Sequence, residues 1–355
     1  MITREQVRES LETVLVPGAM RSLAKTNLVR DVNVADGKVD ISLASTALNR
    51  SAQDWLKAKV KEVTGQLPGV KKAEVGFVEA RPRDLNEVAH VVAVMSGKGG
   101  VGKSLVSALL AVGLARRGLE VGILDADITG PSIPRMFGLR ARPLGSDTGL
   151  LPILSRSGIA IISINLLLEH EDDAVIWRGP LIGNAIKQFW EDVLWGKLDY
   201  LIVDLPPGTA DAPLTVMQSL PLSGVVIVFS PQELAAMVVR KAVKMAREAM
   251  HIPILGVVEN MSYLSLPDTG KRMELFGPSK AEEMAKAAEA PLLAQLPIDP
   301  ELARLCDVGS IESYDSDILG SFAEAFLKAV SERRQLGTVP GKRAEANSNS
   351  QPREG

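Results

Sequence analysis

Short continuous apolar runs mark the middle of the chain. Residues 91–95, 121–124, 159–164, 200–203, 225–229, 255–258 and 292–296 are rich in Val, Ile and Leu and too short to be isolated helices. Between them lie segments with helical spacing. Residues 105–117 stop at Gly118, a candidate left-handed cap. Ile182, Ile186, Phe189 and Val193 share one helical face, and a long helix is expected from Ser230-Pro231-Gln232-Glu233 to about Met250. Phe322, Phe326 and Val330 mark a last helix over 319–334. Strands buried on both faces, alternating with helices, predict an α/β fold with a mostly parallel, doubly wound sheet over residues 88–335.

The first 80 residues follow a different rhythm. Val7, Leu11, Val14 and Leu15 suggest a helix over 4–15. Val32 and Val34, then Val39, Ile41 and Leu43, alternate on either side of Ala35-Asp36-Gly37-Lys38, whose Asp-Gly pair is a hairpin signal. A second helix is expected over 51–64 with Ser51 as its cap, followed by a strand through Ala73, Val75 and Phe77. Residues 1–80 thus read as a small α/β domain, 81–87 as a polar linker, and 336–355, which lack an apolar face, as a disordered tail.

Bulk composition narrows the functions. The 355 residues leave room for two or three domains, and a net charge of −3 provides no general attraction for nucleic acid or an anionic membrane. No apolar run is long enough to span a bilayer, and Arg4, Glu5, Arg8 and Glu9 do not fit a secretory leader. A cytoplasmic protein with neither nucleic acid nor membrane as partner is expected. Cys306 is the single cysteine, so one chain can form no disulfide and no multi-cysteine metal site.

The first candidate for chemistry follows the strand at 91–95. Gly97-Lys98-Gly99-Gly100-Val101-Gly102-Lys103-Ser104 fits G-x-x-x-x-G-K-[ST], with a strand before it and a helix after it. Glycines let backbone N–H groups turn inward around a polyphosphate. Lys103 can neutralise the β- and γ-phosphates, and Ser104 can hold Mg²⁺. In the second motif, four apolar residues deliver Asp204 to the sheet edge ahead of Leu205-Pro206-Pro207-Gly208, matching a Walker B strand running into a switch. There Asp204 can act through a Mg²⁺-bound water and Gly208 can offer its N–H to the γ-phosphate. Asp125-Ala126-Asp127 at another strand end supplies carboxylates that can orient an attacking water.

Lys98-Gly-Gly-Val-Gly-Lys103 resembles the deviant P-loop shared by MinD, ParA, nitrogenase iron-protein and Mrp ATPases. Trp177-Arg178-Gly179-Pro180, Gln188-Phe189 and Trp195-Gly196-Lys197-Leu198-Asp199-Tyr200 narrow the resemblance to Mrp/ApbC-type ATPases, implicated in iron–sulfur cluster transfer. Residues 1–80 resemble the MIP18-like domain often fused before them. The resemblance implies a SIMIBI-type P-loop fold and a homodimer with slow ATP hydrolysis. It makes Lys98 a cross-subunit charge on the transferring phosphoryl, Asp127 the water-positioning residue and Asp125 a supporting group near Mg²⁺. It also makes Asn260 the reader of adenine, with the stretch around Pro297 on the other side of the base. For Asn260 a turn-forming role stays open. Leu105 replaces a hydroxyl residue expected at the α-phosphate, which implies weaker nucleotide affinity.

The same resemblance implies apo iron–sulfur proteins or assembly factors as partners and a [4Fe–4S] cluster held by a Cys-x-x-Cys pair from each subunit. Leu266 and Thr269 occupy those places, and neither can ligate iron. Cys306, the remaining thiol, reads either as a buried filler or as a ligand across a dimer. Three functions therefore stay open: an ATP-hydrolysing cluster carrier, a nucleotide-gated scaffold without a bound cluster, and a MinD- or ParA-like positioning ATPase.

Overall fold

The computed structural model describes residues 2–127, 130, 132–167, 179–232, 235–266 and 269–335. In the N-terminal unit α1 (Arg4–Leu11), α2 (Leu23–Thr26) and α3 (Arg50–Gly65) pack with β1 (Val29–Ala35), β2 (Lys38–Ala44) and β3 (Lys72–Val78). Asp36 and Gly37 both have positive φ, 51° and 81°, the geometry of a turn that matches the twist of a two-residue hairpin. β2 then pairs in parallel with β3, and α3 is the crossover between them. Val39, Ile41 and Leu43 alternate inward to meet Leu56 and Val60.

Two expectations are corrected here. The first helix stops at Leu11 rather than Leu15, because Leu15 forms a bridge with Ser22 and is 47% exposed. Asn49, not Ser51, caps α3, its side chain accepting from the Ala52 N–H at 2.9 Å. The linker is also structured. α4 (Pro82–Leu85) is one helical turn with Leu85 buried, and the Asn86 amide donates to the Val193 carbonyl.

The second unit follows as β4 (Glu87–Ser96), α5 (Lys103–Ala115), β5 (Val121–Asp125), α6 (Ile133–Met136), β6 (Gly145–Ser146), β7 (Gly149–Leu150), β8 (Ile153–Leu154) and β9 (Ala160–Ser163). Then come α7 (Gly179–Asp192), β10 (Lys197–Asp204), α8 (Asp211–Ser219), β11 (Gly224–Phe229), α9 (Ala235–Val243) and β12 (Ile254–Glu259). β13 (Leu264–Ser265), β14 (Arg272–Met273), α10 (Ala281–Ala288), β15 (Leu292–Gln295), α11 (Pro300–Asp307) and α12 (Asp317–Gln335) complete it. The main sheet runs β15-β12-β11-β4-β10-β5-β9-β8, parallel except for the edge strand β8.

Strand periodicity divides the core in two. Val92, Val94 and Ile202 point to the face covered by α5 and α12, whereas Val91, Ala93, Met95, Leu201 and Val203 point to the face covered by α7, α8 and α9. Each fully buried Val, Leu or Ile contributes about 1.5–3 kcal/mol relative to exposure. β4 lies at the centre of the order, with β10 on one side and β11 on the other, so the chain leaves it in both directions. That crevice, at the carboxyl ends of the strands, is where such sheets receive ligands.

The N-terminal unit packs against the opposite edge. The Arg21 guanidinium, almost fully buried, donates to the Trp195 carbonyl at 2.6 Å and the Lys197 carbonyl at 2.9 Å, just where β10 begins. Glu120, preceding β5, pairs with Lys25 at 2.6 Å. Leu151 and Leu194 join the core of the N-terminal unit. On this side an apolar groove of about 530 Å³ opens between Pro17, Met20, Trp55 and Leu144.

Candidate nucleotide site

β4 is buried from Val91 to Ser96 and hands the chain to the glycine loop, and α5 begins at Lys103. Gly102 precedes the helix at φ +79°, and a Cβ there would overlap the Asn260 amide. Gly97 is equally constrained, since a Cβ would overlap Val238 and lie 2.7 Å from its carbonyl oxygen. Asn260 donates to the Val101 carbonyl at 2.9 Å, and the Ser96 hydroxyl donates to the Lys98 carbonyl at 3.0 Å. No side chain caps α5. Its first-turn N–H groups therefore lack intrahelical acceptors and, with the helix dipole, form an anion-binding terminus.

Register builds the charged cluster. Asp204 and Asp125 are direct partners on the neighbouring parallel strands β10 and β5, and both side chains are fully buried. Lys103 Nζ lies 2.8 Å from Asp204 and 3.8 Å from Asp127. The Ser104 hydroxyl donates to Asp204 Oδ2 at 2.5 Å and the Ser107 hydroxyl to Oδ1 at 2.7 Å. Asp125 accepts from the Ser163 hydroxyl at 3.1 Å and from the Asp127 N–H at 3.3 Å. Burial first, then the facing Asp204, pushes the Asp125 carboxyl up to about 8. Three acidic side chains surround one lysine in this dry site, and a divalent cation there would favour the ionised form of Asp125. With the Ser104 hydroxyl beside Asp204 they are a hard-oxygen donor set suited to Mg²⁺.

Lys103, Ser104, Asp125, Asp127 and Asp204 thus meet at one sheet edge. Lys98 pairs with Gln232 of its own chain. The Gly208 N–H donates to the Ser96 carbonyl at 3.0 Å, and Gly208 has φ +94°. Asn260 is 1% exposed, with its amide hydrogen on the phosphate loop. Pro297 is half-buried beside Ile298, whose N–H donates to the Tyr263 carbonyl. Leu266 and Thr269 flank the tip of the β13–β14 hairpin, where the Gly270 N–H donates to the Leu266 carbonyl at 2.8 Å. Cys306 lies half-buried on α11, and burial pushes its thiol up to about 11. Among the described residues no group of three or more His, Cys, Asp or Glu side chains is placed to hold a metal by itself. Trp177 and Arg178 lie outside the described residues. No described helix is long and apolar enough to cross a membrane.

Four residues of the site escaped the sequence reading. Ser107 left a signal, one helical turn after Lys103 on the same face. Ser163 and Gln232 left none, because each meets its partner only through the fold, and Ser96 bonds locally, to the Lys98 carbonyl two residues on, without a motif to mark it.

A family model described as NUBPL iron-transfer P-loop NTPase matches residues 87–332, and one described as iron-sulfur cluster assembly protein matches residues 4–76. The chain is 38% identical over 351 residues to the iron-sulfur cluster carrier protein of Aquifex aeolicus, covering 90% of this chain and 93% of that one. It is 45% identical over 235 residues to the carrier protein of Clostridium perfringens, covering 64% and 82%. A solved nucleotide-binding protein from Archaeoglobus fulgidus, in complex with ADP, superposes with a TM-score of 0.60 at 49% identity, covering 66% of this chain and 92% of that one. With its phosphate loop, its paired strand-end aspartates and these matches over most of its length, the chain belongs to the NUBPL iron-transfer P-loop NTPase family.

Proposed function

We propose that the protein binds Mg·ATP at the carboxyl edge of its sheet, hydrolyses it slowly as a homodimer, and uses that cycle to carry or assemble iron–sulfur clusters for apoproteins in the cytoplasm. The observation that carries the nucleotide part is the convergence of Lys103, Ser104, Asp127 and Asp204 beneath an uncapped helix terminus. The ADP-bound relative and the relatives named iron-sulfur cluster carriers support the rest.

The phosphates accept from the loop N–H groups and from Lys103, while Ser104 and Asp204, with Asp125 behind them, would hold Mg²⁺. The ion, when bound, supplies charge neutralisation for the leaving diphosphate. Asp127 orients a water whose oxygen bonds to the γ-phosphorus as the bond to the bridging oxygen breaks; ADP departs and the water's proton leaves with phosphate. Lys98, at the loop surface, is the charge a partner subunit's phosphoryl would receive. The Gly208 N–H has to exchange the Ser96 carbonyl for a γ-phosphate oxygen. This gives the Pro206-Pro207-Gly208 segment two positions according to nucleotide state.

Two measurements test this. Calorimetry with Mg·ATP should register binding to the intact chain, and the absence of heat from a folded sample ends the nucleotide reading. Asp127→Asn should retain ATP and elute as a persistent dimer, whereas a monomer with ATP bound argues against a nucleotide-closed pair.

A second reading is favoured by the positions of Leu266 and Thr269 and by the raised Cys306 thiol: the same ATP-closed dimer serves as a scaffold and holds no cluster of its own. Anaerobic reconstitution with iron and sulfide separates the two. Bound iron in the wild type supports the carrier, and its loss in Cys306→Ala makes that thiol a ligand. A wild type that retains no iron supports the scaffold.

A further inference from the structure

Glu259 is a fully buried carboxylate outside the charged cluster, at the carboxyl end of β12. Four donors converge on it. The Ser262 and Ser279 hydroxyls and the Gln295 amide reach Oε2 at 2.6, 2.7 and 3.0 Å, and the Lys280 backbone N–H reaches Oε1 at 2.7 Å. Among the described residues no lysine or arginine side chain forms an ion pair with it. The carboxylate is buried and four donors share it, so removing it leaves each without its acceptor, and the arrangement fixes geometry tightly.

These partners are not scattered along the chain. Ser262 stands where the chain leaves β12 for the β13–β14 hairpin, and Ser279 and Lys280 stand where it returns to α10. One side chain therefore pins both ends of that excursion, and Gln295 ties it to β15. The next residue, Asn260, grips the phosphate loop through the Val101 carbonyl at 2.9 Å. Backbone bonds continue the link, with the Leu296 N–H donating to the Glu259 carbonyl at 2.8 Å and the Ser262 N–H to the Leu296 carbonyl at 2.9 Å.

We infer that Glu259 is a positioning residue that joins the phosphate loop to the β13–β14 hairpin, so that nucleotide occupancy is felt at Ser262–Leu266 and Thr269–Lys280 through its four donors. Glu259 touches no nucleotide; it acts through Asn260 and the two hairpin ends. The inference rests on the proposed nucleotide site. Coupling of this kind is reciprocal: whatever order the nucleotide imposes on the hairpin, the pinned hairpin returns as nucleotide affinity.

Hydrogen exchange on the full-length chain, with and without a non-hydrolysable ATP analogue and Mg²⁺, tests it. In the wild type, exchange should slow about five-fold or more both in the phosphate loop, 97–104, and in the hairpin segments. In Glu259→Gln, which places an amide N–H₂ against donors, protection of the loop at saturating analogue should persist while that of the hairpin is lost. Nucleotide affinity should fall by a matching factor. A purely structural role would instead raise exchange in both regions with the nucleotide-dependent difference unchanged, and that result overturns the inference. Should Glu259→Gln not fold, Ser279→Ala and Gln295→Ala each remove one donor and should weaken the hairpin response without abolishing it; a full response in both is equally fatal. A protected loop beside an unresponsive hairpin in the wild type defeats this inference alone. An unprotected loop defeats the nucleotide site as well.

Discussion

Lys103 is 5% exposed and depends on the carboxylates around it, just as they depend on it. Lys103→Ala should therefore do two things. Nucleotide binding should fall below detection by calorimetry, and the stranded charges should cost about 3 kcal/mol or more of stability, read as a lower denaturant midpoint. Lys98 makes the opposite prediction. Its pairing with Gln232 leaves it outside the buried cluster, so Lys98→Ala should keep nucleotide affinity within about two-fold while phosphate release falls about 10³-fold, the scale of a charge supplied in trans. Unchanged turnover would remove the cross-subunit role. Asp125 gives a pH dependence whose sign is fixed by its raised carboxyl. An unfolded aspartate loses its proton near an ordinary value of about 3.9, whereas the folded one keeps it to about 8. Between those limits the native state binds more protons, so without nucleotide stability should decline as pH rises from 4 to 8 and level off above it. Urea melts at about pH 5, 6, 7 and 8 check this, and Asp125→Asn should flatten the slope.

At the scale of elements, residues that act on their neighbours in sequence were legible and residues that act across the fold were not. The seven apolar runs all became strands of the main sheet, because burial on both faces leaves a continuous hydrophobic stretch as its trace. The glycine loop and the aspartates at the ends of β5 and β10 followed, since a motif bound to a strand end carries its geometry with it. The two-residue strands β6, β7, β8, β13 and β14 left no periodic trace. Ser51 was displaced as helix cap by Asn49 two residues earlier, which is within the usual uncertainty of a boundary read from sequence. Glu259 looked like one more residue after an apolar strand. Three of its four donors lie 20, 21 and 36 residues away, separations that no local pattern encodes. Packing between elements also sets a test. Gly97 is closed over by Val238 of α9, so Gly97→Ala should force the loop and that helix apart. We expect nucleotide affinity to fall at least ten-fold, with the far-ultraviolet spectrum unchanged; ten-fold corresponds to about 1.4 kcal/mol of lost binding.

At the scale of the whole molecule, the parallel strand β10 separates two kinds of contact. Its last residue, Asp204, belongs to the proposed nucleotide site, and its first, Lys197, offers the carbonyl that Arg21 of the N-terminal unit holds. Eight strand residues at about 3.3 Å each place the two ends roughly 25 Å apart. The Arg21 contacts of the N-terminal unit thus lie at the far end of β10 from the proposed hydrolytic site, and the sheet is the direct connection between the two. Arg21 is the place to cut that connection. Its loss would leave the Trp195 and Lys197 carbonyls, 2.6 and 2.9 Å away in the folded chain, without their donor in a buried junction. Two orphaned acceptors cost about 1–3 kcal/mol each. Arg21→Ala should therefore loosen the junction before either core. A protease should cut between residues 78 and 88 several-fold faster than in the wild type, and urea unfolding should split into two transitions. The nucleotide affinity of the same variant decides whether the units communicate: an unchanged value makes the N-terminal unit an independent docking module, and a shifted one makes β10 the path between partner and nucleotide.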